Sequence, residues 1–337
     1  MIVPKISIIF PTTNAQKVIY KNLKSIENLE NLNEIEILIS DNNSQDSTKD
    51  IIKSFKNLNI RLFEQKENLG FARTINLISP KAKGEFLFIT NDDVDFPSGF
   101  FKILLNLYHK LKKEKEIIIS PAVVFTGRFI NYFGAKIHFL GFSYTPQMYT
   151  KLPNVKSTFK TLKIAGCSMF LKKKIFLELN GFDTFFYMYH EDTDISLRAI
   201  RKGIFIYTTN ETTLHHQKIQ MLLSNFTYYY IERNRYITIY KNIENFRILI
   251  PYFFLTELIL IFQAILTKML KIRLKVYKFL IENFRQIKYL KFNERNCRDK
   301  KLKKQFFDTH LDNILLGRIL SKVRIFKLFL KILNLIL

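Results

Sequence analysis

Gly84-Glu85-Phe86-Leu87-Phe88-Ile89-Thr90-Asn91-Asp92-Asp93-Val94-Asp95 is the stretch that decides the fold. A short apolar run closes on a cluster of acidic and amide residues. Such a run, bounded in this way, reads as a strand buried on both faces at the centre of a parallel sheet. Working back along the chain, Glu36-Ile37-Leu38-Ile39-Ser40 has the same character and runs into Asp41-Asn42-Asn43-Ser44. Ile6-Ser7-Ile8-Ile9-Phe10 is a first strand, ended by Pro11. Helical patterns fill the gaps: residues 16–29, with Val18, Ile19, Leu23 and Ile26 on one face, then a helix from about Ser47 and another from about Phe71. A strand near Ile60-Arg61-Leu62-Phe63 lies between those two helices. Forward of the acidic cluster come a helix over residues 100–111 and Ile117-Ile118-Ile119 before Pro121. Strands separated by helices indicate βαβ units, so the expected class is α/β with a mostly parallel sheet flanked by helices.

Beyond residue 121 the alternation breaks into an aromatic, Gly- and Pro-rich stretch to about residue 160, in which residues 131–140 suggest two short strands. Order returns at residues 162–171, and a helix from about Lys172 stops at Asn180-Gly181. A third acidic cluster, His190-Glu191-Asp192-Thr193-Asp194, then opens an amphipathic helix with Ile195, Ala199 and Ile200 on its apolar face. Each cluster alone has a plain structural explanation. Asp41 could cap its own turn, Asp92, Asp93 and Asp95 could be a solvated turn before Pro97, and the third could favour a helix N-terminus. Together, two at strand ends and one at a loop-to-helix junction, they point instead to a site. Ligands of open α/β sheets collect outside the carboxyl ends of the strands. Carboxylates delivered there can hold a metal, a nucleotide and a catalytic proton, as an enzyme acting on a phosphorylated donor requires.

The chain of 337 residues is 47% hydrophobic and 24% charged, with 33 Phe and 16 Tyr, enough for one large domain with appendages and too apolar for a disordered chain. Its two cysteines, Cys167 and Cys297, make neither a disulfide framework nor a zinc spacing. The first five residues run straight into a strand without a leader pattern, so a cytoplasmic location is expected. The formal net charge is +24, and residues 271–337 hold 18 Lys and Arg against 5 Asp and Glu, a net of +13. That tail implies an anionic partner.

Six stretches and one longer block resemble family 2 glycosyltransferases, in that family's order, over roughly residues 5–216. The stretches are Ser7-Ile8-Ile9-Phe10-Pro11-Thr12-Thr13-Asn14, Ile39-Ser40-Asp41-Asn42-Asn43-Ser44, Glu67-Asn68-Leu69-Gly70-Phe71-Ala72, residues 84–93, Ala165-Gly166-Cys167-Ser168-Met169-Phe170 and Gly181-Phe182-Asp183. The block Phe186-Tyr187-Met188-Tyr189-His190-Glu191-Asp192-Thr193-Asp194-Ile195-Ser196-Leu197-Arg198 is the most specific. The pattern is most similar to the rhamnosyltransferase-like branch. This resemblance implies a GT-A fold, a nucleotide-sugar donor, a divalent cation (Mg²⁺ or Mn²⁺) and inversion at the anomeric carbon. It implies that Pro11, Thr13, Asn14, Asp41, Asn68, Asn76 and Asp92 bind the donor, with Asp41 accepting from a uracil or thymine base. It also implies that Asp93 holds the metal, with Asp95 and His215 or His216 as further candidates, and that Asp192, beside Glu191, is the general base. Asn91 stands where the family's metal motif has its first acid, and Arg73-Thr74 stands where relatives often carry glycines.

The expected domains are residues 1–216, catalytic, with a nucleotide-sugar half over 1–120 and an acceptor half over 121–216, and residues 217–337, helical and basic. Residues 220–243 read as helix. Residues 248–270 have the length of a bilayer span, yet Pro251, Glu257 and Gln263 interrupt them, so an interfacial or protein-packed helix ranks ahead of a true span. Residues 318–337 set Arg324, Lys327 and Lys331 on one helical face, as membrane-surface helices do. The expected partners are a nucleotide-sugar donor, a glycan or polyprenyl-lipid-linked acceptor and the anionic inner face of the cell membrane, held in peripheral or monotopic fashion. Two rivals are a basic nucleic-acid-binding protein, for which no recognition motif accompanies Arg295–Lys304, and a nucleotidyltransferase, for which Pro11–Gln16 is not a basic nucleotide-gripping loop.

Overall fold

The computed structural model describes residues 4–112, 115–138, 140–217, 224–242 and 250–292. Cys297, Arg295–Lys304 and the amphipathic stretch 318–337 lie outside the described residues. The chain forms two compact units, Met1–Ala135 with Gln147–Met221, and Lys136–Pro146 with Leu222–Leu337.

In the first unit the order is β1 (Ile6–Thr12), α1 (Ile19–Glu27), β2 (Ile35–Asp41), α2 (Thr48–Ser54), β3 (Ile60–Glu64), α3 (Gly70–Ile78), β4 (Phe86–Thr90), β5 (Val94–Asp95), α4 (Phe100–Leu111), β6 (Ile117–Val124) and β7 (Ile130–Tyr132). After β8 (Lys136–Ile137) and β9 (Ser143–Tyr144), which belong to the other unit, come β10 (Thr158–Lys160), β11 (Ser168–Lys172), α5 (Lys173–Glu178), α6 (Glu191–Arg201) and β12 (Phe205–His216). The sheet runs β10-β12-β6-β11-β4-β1-β2-β3, with β5 on β12 and β7 on β6. The run β4-β1-β2-β3 is parallel, and β11 enters antiparallel between β4 and β6. The chain leaves β1 outward through β2 and β3 and returns at β4 on β1's other side. The β1–β4 boundary is therefore the switch point where such sheets bind ligands. Two apolar layers sandwich the sheet, one around Phe10, Phe88, Phe100 and Leu104, the other around Ile9, Ile89, Ile175 and Phe182.

Both prolines expected to end strands lie inside them. Pairing of β1 with β4 stops at Ile9, so Pro11 pairs only with Ser40 of β2 and its missing N–H breaks no bond on the other side. Pro121 lies inside β6 where the register with β12 slips between Thr209 and Thr213, and its carbonyl accepts the Ser168 hydroxyl at 2.8 Å. The two short strands expected in 131–140 are present but do not pair with each other: β7 joins β6, and β8 pairs with β9.

The second unit holds the β8–β9 hairpin, α7 (Asn225–Asn242), α8 (Ile250–Leu266), α9 (Leu270–Glu282) and α10 (Phe284–Phe292). Glu257, which interrupts the apolar run 248–270, points inward. Its carboxylate lies 3.1 Å from Arg235 and 2.9 Å from Arg273, and accepts the Tyr277 hydroxyl at 2.6 Å. Glu232 pairs with the same two arginines, at 3.0 and 3.2 Å. The paired guanidinium groups hold the Glu257 carboxyl down at about 2 against the opposing effect of burial. Arg235 also donates to the Leu140 carbonyl, and a Cβ on Gly141 would collide with Ile239, so the hairpin packs on α7. Among the described residues no helix is long and apolar enough to cross a membrane.

Candidate active site

The ends of β2, β1 and β4 lie side by side, because Thr12 registers with Asp41 and the Thr12 hydroxyl donates to Asp92 at 2.7 Å across the switch point. Asp41 is almost wholly buried. Its Oδ2 accepts the Ser44 N–H at 3.0 Å, as a turn-capping aspartate would. Its Oδ1 is buried with no hydrogen-bond partner. A buried carboxylate oxygen left unpaired costs about 1–3 kcal/mol or more, so such an atom calls for an external donor.

Loops 13–16 and 42–48 are zipped together beside Asp41. Asn14, at φ 49°, donates its N–H to Ser44 and accepts from Gln45 N–H at 2.8 Å, while Ala15 N–H reaches Thr48. Asn14 therefore shapes this loop through its own contacts. Pro11 and Thr13 are half-buried on either side of Thr12. Asn68 Oδ1 accepts from Gly70 N–H at 2.9 Å and from Asn42 at 3.3 Å, and buried Thr74 donates to Asn42 at 3.1 Å. The threonine found where glycine was expected is thus a strut under the Asn42–Asn68 wall. Asn76, expected to bind the donor, has its amide engaged within the protein. Both ends of its amide are taken by the Phe182 main chain, at 2.6 and 2.9 Å, where they pin the turn after α5.

The acids of the second cluster separate. Asp93 is buried, and its Oδ1 lies 3.6 Å from His216 Nε2, too long for a hydrogen bond and near enough to share an ion. The other nitrogen, His216 Nδ1, is buried without a partner. Asp95 is turned elsewhere: one carboxylate oxygen meets Lys21 at 2.6 Å and His215 at 3.6 Å, and the other accepts from Gln217 at 2.8 Å. Asp95, expected as a further metal candidate, is here balanced by a lysine. Among the described residues no three His, Cys, Asp or Glu side chains gather around one point. Asp93 with His216 still suits a cation of the Mg²⁺ or Mn²⁺ kind, which takes few protein ligands when substrate phosphates supply the rest.

At the N-terminus of α6 the three acids take different roles. Asp194 is buried against Arg198 at 2.8 Å, and that arginine also donates to the carbonyls of Leu179 and Gly181. Glu191 is buried, and Oε2 has no partner. Burial first, then the charge of Asp192, pushes its carboxyl well above the usual range. Asp192 alone keeps solvent access, with 15% of its side chain exposed. Its Oδ2 accepts from Lys163 Nζ at 2.8 Å and Gly166 N–H at 3.2 Å, and its Oδ1 accepts the Thr193 hydroxyl at 3.2 Å. Lys163 was not foreseen; its partner lies 29 residues away and nothing in its local sequence marks it. Cys167 links the clusters: Thr90 donates to its carbonyl at 2.8 Å, and burial, then Asp93, then Asp192 push its thiol up to about 12. Tyr187, Tyr189 and His190, leading into α6, all have φ between 62° and 69°. Non-glycine residues held there store strain of the kind that clusters at functional sites.

Known proteins resemble this chain in sequence and in fold. A protein named GalNAc(5)-diNAcBac-PP-undecaprenol beta-1,3-glucosyltransferase, from Campylobacter jejuni, is 33% identical over 105 residues, 30% of this chain and 34% of that protein. The chain spans about a third or less of the length of the curated relatives it matches. The crystal structure of GalNAc-T7 with UDP, GalNAc and Mn²⁺ superposes with a TM-score of 0.59 at 14% identity, covering 73% of this chain and 49% of that one. The mannosyltransferase PcManGT from Pyrobaculum calidifontis, in complex with GDP-Man and Mn²⁺, gives 0.52 at 14% identity, covering 99% and 85%. At these identities the two structures show the fold alone, and it is the expected GT-A arrangement. The model of the family "Glycosyl transferase family 2" matches residues 7–179, from β1 to the end of α5, which is half of the chain. With the acidic strand ends lying inside that match, the chain belongs to glycosyl transferase family 2.

Proposed function

We infer that the protein transfers a sugar, with inversion, from a UDP- or dTDP-sugar to a hydroxyl group of a glycan or lipid-linked acceptor. The observation that carries the reading is the buried, unpartnered Oδ1 of Asp41 at the carboxyl end of β2, next to the switch point. Uracil and thymine present an N3–H donor of the kind this oxygen lacks. Guanine also has ring N–H donors, but its two-ring base is larger.

Asp93 and His216 are the residues that would hold the divalent cation, with the donor's diphosphate supplying further oxygens. When bound, that cation offsets the negative charge developing on the departing nucleoside diphosphate. Asp192 takes the proton of the acceptor hydroxyl as that oxygen attacks the anomeric carbon and the bond to the diphosphate breaks. A positioned carboxylate contributes a factor on the order of 10² to 10⁴ in this way. Lys163 and Gly166 hold the carboxylate in place, and its remaining exposure gives the acceptor access. The pairing of Asp194 with Arg198 and the burial of Glu191 support Asp192 over its two neighbours in that role.

The acceptor class rests on the Campylobacter jejuni relative, whose name specifies a diphosphoundecaprenol-linked glycan. The motif pattern most similar to the rhamnosyltransferase-like branch adds deoxyhexoses to the candidate sugars. A lipid-linked acceptor suits a protein held peripherally at the inner face of the membrane by its basic C-terminal region. A screen of nucleotide sugars, with mass-spectrometric detection of transfer or donor hydrolysis, tests the reaction. Turnover of a UDP- or dTDP-sugar that stops in chelator is expected; turnover of purine-linked donors alone refutes the donor class.

A further inference from the structure

The exposed side of α8 is apolar along its length. Phe254 is 68% exposed, Leu258 51%, Phe262 53%, Ile265 52% and Leu266 67%. Steps of three and four residues put these side chains on one stripe of the helix. The opposite side holds Leu260, Ala264 and the inward Glu257 that neutralises Arg235 and Arg273. The stripe is therefore a surface of a helix already anchored from behind. Contiguous exposed apolar surface on a helix held from behind marks a binding face.

The charges on the helices that follow it point to the partner. In α9, α10 and the turn before them, Lys268, Lys271, Lys275, Lys278, Arg285 and Lys288 are all exposed, against one exposed acid, Glu282, already paired with Lys278 at 3.7 Å. Leu274, Ile281, Phe284 and Tyr289 are exposed among those cations. An apolar stripe followed along the chain by helices rich in exposed cations and aromatic rings complements an anionic lipid leaflet, which takes up rings at the acyl boundary and attracts cations at the headgroups.

We propose that the outer stripe of α8, with the cations of α9 and α10, is the surface by which this protein inserts into an anionic phospholipid leaflet. The proposal rests on the peripheral membrane reading above and assigns it to α8–α10 rather than to the basic residues beyond 292. The chain contains no tryptophan, so Phe262→Trp makes a single reporter with a conservative change. Full-length F262W is mixed with vesicles of phosphatidylcholine alone or with phosphatidylglycerol added. The emission should shift to the blue only with the anionic vesicles. Flotation with the same vesicles compares wild type, F254E/F262E and V155E, an exposed apolar control in the first unit at 78% exposure. Thermal melting accompanies each variant. Wild type and V155E should float, and the bound fraction of F254E/F262E should fall at least tenfold with its melting unchanged.

An emission maximum that anionic vesicles leave unmoved overturns the proposal, including the case of an indole already covered by this chain's own tail or by a second copy. If wild type and F254E/F262E float equally, membrane binding survives and α8 is wrong. If wild type fails to float, the peripheral reading fails along with the α8 surface, while the donor screen still judges the enzymatic reading on its own.

Discussion

Replacing Asp192 with asparagine separates chemistry from structure, because the surroundings of the carboxylate accommodate the amide. The amide oxygen, placed at Oδ2, still accepts from Lys163 Nζ and from Gly166 N–H, now at 2.8 and 3.2 Å. The amide nitrogen falls at Oδ1, where the Thr193 hydroxyl can turn from donor to acceptor across its 3.2 Å. What disappears is the charge assistance of the Lys163 contact. The difference between a charged and a neutral hydrogen bond is about 1 kcal/mol, so the fold and donor binding should survive. The reaction should not. An amide cannot take the acceptor's proton, and losing a general base lowers turnover about 10²- to 10⁴-fold, or about 3–5 kcal/mol on the barrier. Initial rates by mass spectrometry, beside calorimetric donor affinity and a thermal melt, read the three quantities separately. Transfer within tenfold of wild type, with donor affinity intact, would refute the assignment of Asp192 as the base.

Gly70 sits at φ +73°, and a Cβ there would lie 2.5 Å from the Tyr187 ring and 2.7 Å from its carbonyl oxygen. Gly70→Ala should therefore destabilise the protein by about 2–4 kcal/mol in a denaturant titration and lower kcat by displacing the turn that leads into Glu191. Glu191, raised above its ordinary value of 4.5, gives stability a sign. The unfolded carboxyl ionises near pH 4.5 while the folded one keeps its proton, so stability is full below pH 4.5 and falls as pH rises through the elevated folded value. In Glu191→Gln this decline should be absent from denaturation midpoints measured across that range.

Much of the first unit was legible because buried parallel strands write themselves as continuous apolar runs. Phe86–Thr90 and Ile35–Asp41 are both strands with their acidic ends at one edge of the sheet. The helix over residues 100–111 matches its apolar spacing as well. The local rule misplaced the strand end at Pro11, where β4 does not pair and the missing N–H breaks no bond on that side. What could not be read depends on contacts between distant residues. Asn76 meets Phe182 across 106 positions, Lys163 meets Asp192 across 29, and the 136–146 hairpin packs on α7 almost a hundred residues later. Glu257 was visible only as an interruption in an apolar run, since its two arginines lie in other helices. The separation of Asp93 from Asp95 was hidden because Lys21 and Gln217, which hold Asp95, come from α1's face and the residue after β12.

The proposed site for a pyrimidine nucleoside diphosphate and a divalent cation is built on Asp41, Asp93 and His216. Calorimetric titration of UDP into wild type and Asp41→Asn, each in Mn²⁺ and in chelator, tests this most directly. In the variant the Ser44 N–H keeps the amide oxygen at the Oδ2 position, so the amide nitrogen confronts the N3–H of uracil, donor against donor. The expected result is binding by wild type in Mn²⁺ that weakens at least tenfold in chelator and at least tenfold again in the variant. Equal affinity in all four titrations, or no UDP binding by wild type in Mn²⁺, contradicts the account.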